Sequence, residues 1–341
     1  MKTIILDEPN QLRFAETEPP QQPGPGEALV RVRRVGICGT DLHAFRGEQP
    51  FFSYPRILGH ELGVEVVALG ATEQPTHVAV GDRCSVNPYL NCGHCSACQR
   101  GKPNCCLNLR VLGVHTDGGM RELITVPINK LHPSRTLPLE HLALVEMLCI
   151  GAHAVRRAQP EPGEQVLVVG AGPIGLSVMT SALAAGANVI GMEVSEKRRA
   201  FCQQQLGVTR WVDGRSDPLP QLDAILSGDM PTIVFDATGN AKSMMQAFNY
   251  VAHGGKLVFV GLFQGDVTFH DPDFHRRELT LFSSRNATDE DFARVIAMLE
   301  SGKINLDPWI THRAPPEEIC TTFPSWLEPE NGVVKAMLEF S

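Results

Sequence analysis

Three groups of residues in this chain have the types and spacing that chemistry needs. Four cysteines, Cys92, Cys95, Cys98 and Cys106, fall within fifteen residues in the segment CGHCSACQRGKPNCC. Thiolates two residues apart curl around one ion, and the returning Cys106 completes a tetrahedral sulfur cage suited to Zn²⁺. A closed cage has no open position for a substrate, so this zinc is expected to be structural. The other reading of these cysteines, free or disulfide-linked thiols in a loop, calls for an oxidising compartment that nothing else in the sequence suggests.

The second group is Gly170-Ala171-Gly172-Pro173-Ile174-Gly175, which directly follows the apolar run QVLVV and opens a helical pattern. A G-x-G-x-x-G string alone is weak, but between a strand and a helix it reads as a dinucleotide turn. Gly170 permits the tight turn, Gly172 lets a pyrophosphate approach the backbone, and Gly175 lets helix and strand pack closely. Pro173 and Ile174 begin the helix, whose free N–H groups and positive dipole end face the phosphates. Glu193, eighteen residues past Gly175, ends the next strand, where a carboxylate accepts from ribose hydroxyls and repels a 2′-phosphate. NAD is therefore expected over NADP. Arg198, within the run Lys197–Arg199, is either part of that cofactor site or a solvated helix face.

The third group is scattered: Cys38 in GICGTDLH, His60 and Glu61 in RILGHE, and Glu146 in LVEML. Singly, Cys38 reads as a small buried residue and His60 as a core histidine. Glu146 lies in the apolar stretch LALVEMLCIGA, where a buried carboxylate needs a partner.

The elements that must position these groups change character along the chain. Up to about residue 150 the sequence is rich in Gly, Pro and β-branched residues in short bursts, such as EALVRVRRVGIC and LGVEVVALG, an irregular all-β texture. From Gln165, QVLVV, NVIGME, RWV, TIVFDA, KLVFVG and LTLFSS read as six strands alternating with the helical patterns IGLSVMTSALAAG, KRRAFCQQQLG and AKSMMQAFNYVA. That alternation implies an α/β fold with a doubly wound parallel sheet. After about residue 286 come one helix, DEDFARVIAMLESG, and a final strand, VVKAMLEF. The expected domains are about 1–150 with a cysteine lobe at about 88–108, about 151–286 for the nucleotide, and about 287–341 returning to the first.

Composition narrows the class. A chain of 341 residues with 43% hydrophobic and 20% charged content is an ordinary globular protein long enough for two cores. A net charge of −8 without a basic block excludes a nucleic-acid surface. The start, MKTIILDEPNQLRF, reads as strand, turn and strand rather than a signal peptide, and no apolar run is long enough to cross a membrane. The spare cysteines, Cys84, Cys105, Cys149, Cys202 and Cys320, are expected to stay reduced in the cytoplasm.

Together these motifs resemble the zinc-containing medium-chain dehydrogenases, in the polyol and sugar-acid branch, over essentially the whole chain. The resemblance implies a Rossmann domain inserted in a GroES-like catalytic domain, two zinc ions per chain, NAD, and a homo-oligomer, dimer or tetramer. It implies Cys38 and His60 as ligands of a catalytic zinc, Glu61 and Glu146 as the carboxylates that complete or adjust its shell, and Cys92, Cys95, Cys98 and Cys106 around the structural one. Two departures stand out: Gly63 comes one residue earlier than the glycine that usually follows GHE, with Val64 in its place, and Met147 replaces a proline.

The implied reaction oxidises a secondary hydroxyl of a small-molecule polyol or sugar acid. Thr40 would take the hydroxyl proton and pass it through the cofactor ribose to His43, while Asp41 orients the histidine ligand. Phe51, with Phe52 and Tyr54, either walls the substrate pocket or packs beneath the lobe. His115, Arg285 and Asn286 could meet substrate hydroxyls or a carboxylate, Arg285 by a bidentate pair. The alternatives are a sorbitol-, galactitol- or threonine-type dehydrogenase, or a noncatalytic nucleotide-binding relative.

Overall fold

The computed structural model describes residues 1–49, 52–73 and 75–341. By its contacts the chain divides into two compact units, Met1–Glu146 with Thr288–Ser341, and Met147–Ala287.

The first unit opens with β1 (Lys2–Glu8) and β2 (Gln11–Glu16), a hairpin turning through Asn10 at φ 65°. The long β3 (Glu27–Ile37) ends at α1 (Gly39–Arg46), so that Cys38 sits at the helix N-cap. β4 (Glu61–Leu69) begins at one of the expected ligands, and β5 (Arg83–Val86) runs toward the cysteine lobe. The lobe comprises β6 (Tyr89–Leu90), the short α2 (Ser96–Gln99) and β7 (Arg110–Val111); β8 (Leu123–Pro127), β9 (Leu131–Pro133) and α3 (Leu139–Ala158) follow. α3 carries Glu146 and runs on into the second unit.

In the second unit β10 (Gln165–Val169), α4 (Pro173–Ala184), β11 (Asn188–Glu193), α5 (Glu196–Leu206), β12 (Arg210–Asp213), α6 (Pro218–Leu226), β13 (Ile233–Asp236), α7 (Ala241–Ala247), β14 (Lys256–Phe259), α8 (Asp271–Arg276) and β15 (Thr280–Ser283) alternate. The six strands are the six read from the sequence, all parallel, in the order β12-β11-β10-β13-β14-β15. This is the doubly wound arrangement, with β10 next to the point where the order reverses. Its central strands are apolar runs because both faces are covered: Val166, Leu167, Val168, Val234 and Phe235 have no exposure. α6 and α8 were not expected. α6 had readable signals: Asp217 caps it, accepting from the Leu219 amide, and Pro218 is its first residue.

The chain then returns to the first unit through α9 (Asp289–Glu300), β16 (Ile310–Ala314), α10 (Ile319–Thr322) and β17 (Lys335–Glu339). Seven strands share one sheet, ordered β16-β17-β3-β4-β5-β9 with β8 also on β3. Its register decides what the site contains. β17 lies antiparallel to β3 with Ala336 opposite Ile37, and β4 pairs β3 with Glu61 opposite Gly36, so Lys335 and Glu61 flank the end of β3 that leads into Cys38. Gly63 is accounted for here: a Cβ on it would stand 2.1 Å from the Leu139 carbonyl oxygen at the start of α3, while Val64 takes an ordinary core position.

Candidate metal and cofactor sites

The lobe brings its four thiols together. The sulfurs of Cys95 and Cys98 lie 3.5 Å apart, those of Cys95 and Cys106 3.8 Å, and those of Cys106 and Cys92 3.5 Å. A zinc–thiolate tetrahedron with bonds of about 2.3 Å has edges of about 3.8 Å, so the cage fits Zn²⁺. Backbone donors already favour thiolates. The Cys92 amide donates to Cys106 Sγ at 3.2 Å, and the Cys98 and Leu107 amides lower the Cys95 pKa to about 6. Burial and the adjacent Cys95 push Cys98 up to about 11. Thiols this close cannot all ionise unless a cation stands among them.

The second cluster is assembled from distant segments. Donor atoms of Cys38, His60 and Glu61 all lie within 4.8 Å of one another. Asp41, in the first turn of α1, joins the two ligand segments: its Oδ2 accepts from the Cys38 amide at 2.9 Å and its Oδ1 from the Gly59 amide at 3.4 Å. Oδ1 also lies 3.7 Å from His60 Nδ1, an ion-pair distance that leaves this buried nitrogen without a hydrogen bond among the described residues. Glu146 lies outside the 4.8 Å trio, and the Tyr89 hydroxyl donates to its Oε1. Glu61 is held differently: both its oxygens accept from Lys335 Nζ, at 2.6 and 2.7 Å, and that ammonium also donates to the Ile37 carbonyl at 3.0 Å.

Nearly all of this is buried: Asp41, His60, Glu61, Glu146 and Lys335 are each at most 5% exposed. Burial raises the carboxyl pKa values of Asp41 and Glu146. It opposes the His60 charge, but Asp41, the Cys38 side chain and Glu146 outweigh it and hold the imidazole pKa well above its ordinary value. Three carboxylates and a thiol thus face one ammonium and one imidazole, a surplus of negative charge that suits a divalent cation. Sulfur, nitrogen and oxygen donors together are zinc chemistry.

In the second unit the glycine turn has its expected form. Gly170 turns at φ 92°, Gly172 is the N-cap of α4 and Pro173 its first residue. Gly175 allows no side chain, because a Cβ there would come within 1.8 Å of the Gly170 carbonyl oxygen. Glu193 ends β11 beside the turn and is heavily used: Oε2 accepts from the Ala171 amide at 2.7 Å, and Oε1 from the Val194 and Ser195 amides at 2.8 and 2.9 Å. Three of roughly four acceptor positions on a carboxylate are taken, so Glu193 braces the turn. Arg198 leans toward Gly172, its Nη1 3.9 Å from where a Cβ would stand, while Arg199 pairs with Glu196.

Residues 24–137 match the alcohol dehydrogenase GroES-like domain, and residues 173–301 match the zinc-binding dehydrogenase family. The chain is 43% identical over 340 residues to the L-galactonate-5-dehydrogenase of Escherichia coli K12, covering 100% of this chain and 99% of that protein. This chain belongs to the zinc-binding dehydrogenases. It is also 34% identical to the L-threonine 3-dehydrogenase of Pyrococcus horikoshii, over 86% of this chain and 85% of that one. An alcohol dehydrogenase of Escherichia coli CFT073, solved as a complex with NADH, superposes with a TM-score of 0.92 at 32% identity, covering 100% of this chain and 99% of that structure. The protein is accordingly a zinc- and NAD-dependent oxidoreductase acting on CH–OH groups.

In this dehydrogenase Thr40 and His43 stand three residues apart on α1, the spacing of one helix face. Thr40 is half-buried; His43 is exposed, with Nδ1 3.1 Å from Glu48 Oε2. The residues considered for the substrate have the following local settings. Phe51 lies outside the described residues. Phe52 and Tyr54 pack edge-on against each other at 4.9 Å and lie against the first unit's core, and the Tyr54 hydroxyl donates to the Ala44 carbonyl at 2.5 Å. His115 Nδ1 accepts from the Val111 amide at 3.1 Å and so closes a turn. Arg285 is exposed after β15, and Asn286 has φ 54° with a buried Nδ2 that finds no hydrogen-bond partner among the described residues. Two members of the metal pocket, Lys335 and Tyr89, went unread in the sequence. Lys335 is a lysine in an apolar strand and Tyr89 an aromatic just before the cysteines, and neither signal names its partner.

Proposed function

We propose that the enzyme oxidises a secondary hydroxyl of a sugar acid of the L-galactonate type, with NAD as acceptor. The observation that carries the chemistry is the buried trio Cys38, His60 and Glu61, a set of three unlike donors that, unlike the closed lobe, leaves room for a substrate oxygen. Substrate class is supported by the full-length 43% relative that acts on L-galactonate. When bound, zinc supplies a Lewis acid that lowers the pKa of the substrate hydroxyl, and NAD supplies the hydride acceptor.

The chain's own groups do the rest. Cys38, His60 and a carboxylate, Glu61 or Glu146, hold the catalytic zinc, and the lobe holds a second zinc. Asp41 orients His60 through Oδ1. Thr40 Oγ1 takes the hydroxyl proton and relays it to the His43 imidazole, which Glu48 orients. The amides that follow Gly170 receive the pyrophosphate at the start of α4, Glu193 serves the ribose, and Arg285 pairs with the substrate carboxylate. The products are a ketone, NADH and one proton.

Ten cysteines, none of them in a disulfide among the described residues, support a reducing cytoplasm. The outer side of β15, an edge of its sheet with Leu281 exposed, supports assembly into a homo-oligomer. A panel of sugar acids, polyols and amino alcohols, scored by NADH absorbance, tests the substrate. L-galactonate or a related sugar acid should give the highest kcat/KM. A preference for threonine, as the 34% relatives are named for, would overturn the sugar-acid reading and leave the dehydrogenase intact.

A further inference from the structure

We propose that Tyr89 is a positioning residue through which the thiolate lobe controls the geometry of the catalytic metal pocket. β6 and β7 are the two legs of the loop that carries the cysteines, and they pair over only two residues each, Tyr89 with Val111 and Leu90 with Arg110. So short a ladder has little stability of its own, and a metal among the four thiolates closes the loop above it. Tyr89 is then clamped from both sides. Beyond it, Asn91 Oδ1 accepts from the buried Lys130 Nζ at 2.7 Å, and Asn91 Nδ2 lies 3.8 Å from Cys98 Sγ. Before it, Asn87 Oδ1 accepts from the Tyr89 amide at 3.0 Å, Asn87 Nδ2 donates to Asp289 at 2.6 Å, and the Asn87 amide donates to the Lys130 carbonyl at 2.8 Å.

The phenol that this segment holds in place donates to Glu146 Oε1, and both residues are 4% exposed. One neutral donor on one oxygen orients the carboxylate and leaves Oε2 for the pocket. Glu61 differs, since Lys335 occupies both of its oxygens. The position of Tyr89 therefore sets the direction of Glu146, and the state of the lobe sets the position of Tyr89. Outer-shell partners of metal-site ligands carry effects of about 10–100-fold on metal affinity or activity.

The inference rests on the two-zinc reading, and the test separates the two. The full-length enzyme is prepared with Co²⁺ in the catalytic site, because zinc is spectroscopically silent and cobalt d–d bands report ligand geometry. Tyr89→Phe should keep two metals per chain and a near-native melting temperature, while shifting the d–d band and releasing cobalt to a chelator about 10-fold faster. Asn91→Ala, which loosens the lobe without removing a ligand, should shift the same band in the wild-type background and leave it unmoved in Tyr89→Phe. A Tyr89→Phe enzyme with native spectrum and release rate overturns the proposal, as do equal Asn91→Ala shifts in both backgrounds. A wild-type enzyme holding one metal per chain would instead overturn the two-zinc reading itself.

Discussion

The thiolate lobe draws all its donors from fifteen consecutive residues, whereas the proposed catalytic pocket gathers Cys38, His60, Glu61, Glu146 and Lys335 from almost the full length of the chain. The lobe's sulfurs are spaced like the corners of one tetrahedron and approached by backbone amides, so the site is closed and local. In the pocket, unlike donors face a buried ammonium and a charge surplus, and its second carboxylate accepts from a tyrosine hydroxyl. A local site can fold around its ion and stabilise the fold. A non-local site exists only after the sheet has formed, and it keeps the open position and adjustable charge that chemistry requires.

The sharpest break in this comparison is Cys95→Ser. Structural zinc contributes on the order of 10 kcal/mol of apparent binding free energy, so losing it should cost one zinc per chain and lower the melting temperature by many degrees. Unchanged zinc content and melting would remove the structural assignment. Lys335→Met comes next: in the zinc-free protein it strands Glu61 as a buried carboxylate without its ammonium, and breaking such a pair costs about 3–5 kcal/mol. Glu61→Gln in the same chain should recover part of that loss; a denaturant titration showing no recovery would mean that the two residues are not coupled.

In the second unit, Glu193→Ala should raise the KM for NAD about 10-fold, or ~1.4 kcal/mol, and improve relative use of NADP. Because Glu193 also braces the glycine turn, it should lower the melting temperature as well, which a pure ribose contact would not. An enzyme that prefers NADP before mutation would point to Arg198 instead. The smallest effect belongs to His43→Gln. An exposed terminal acceptor can be replaced by water, so oxidation should fall only a few-fold, mostly below about pH 7.5 where solvent hydroxide is scarce. A pH–rate profile that matches wild type would leave His43 outside the relay.

What the sequence disclosed follows the same division. The cysteine spacing and glycine turn are contained in single stretches, and the second unit's central strands are apolar runs because both their faces are covered, so these were legible. The pairing of Lys335 with Glu61 spans 274 residues and exists only because β17 lies beside β3. No local pattern encodes that register. Tyr89 and Glu146 meet across 57 residues for the same kind of reason. The early glycine, Gly63, looked like a departure from the family pattern and proved to be a packing contact with the start of α3. The rings of Phe52 and Tyr54 pack onto the core, the Tyr54 hydroxyl meets the Ala44 carbonyl and His115 Nδ1 meets the Val111 amide, local partners that residue type alone does not announce.

The most direct test of the division between the two clusters is His60→Ala, measured for zinc content, melting temperature and turnover in one preparation beside wild type. Two zinc ions per chain are expected in wild type and one in the variant, with melting shifted by only a few degrees and turnover lost by a factor of about 10³ or more. A His60→Ala enzyme that keeps both zinc ions and its turnover, or that sheds both ions and unfolds, would contradict the account.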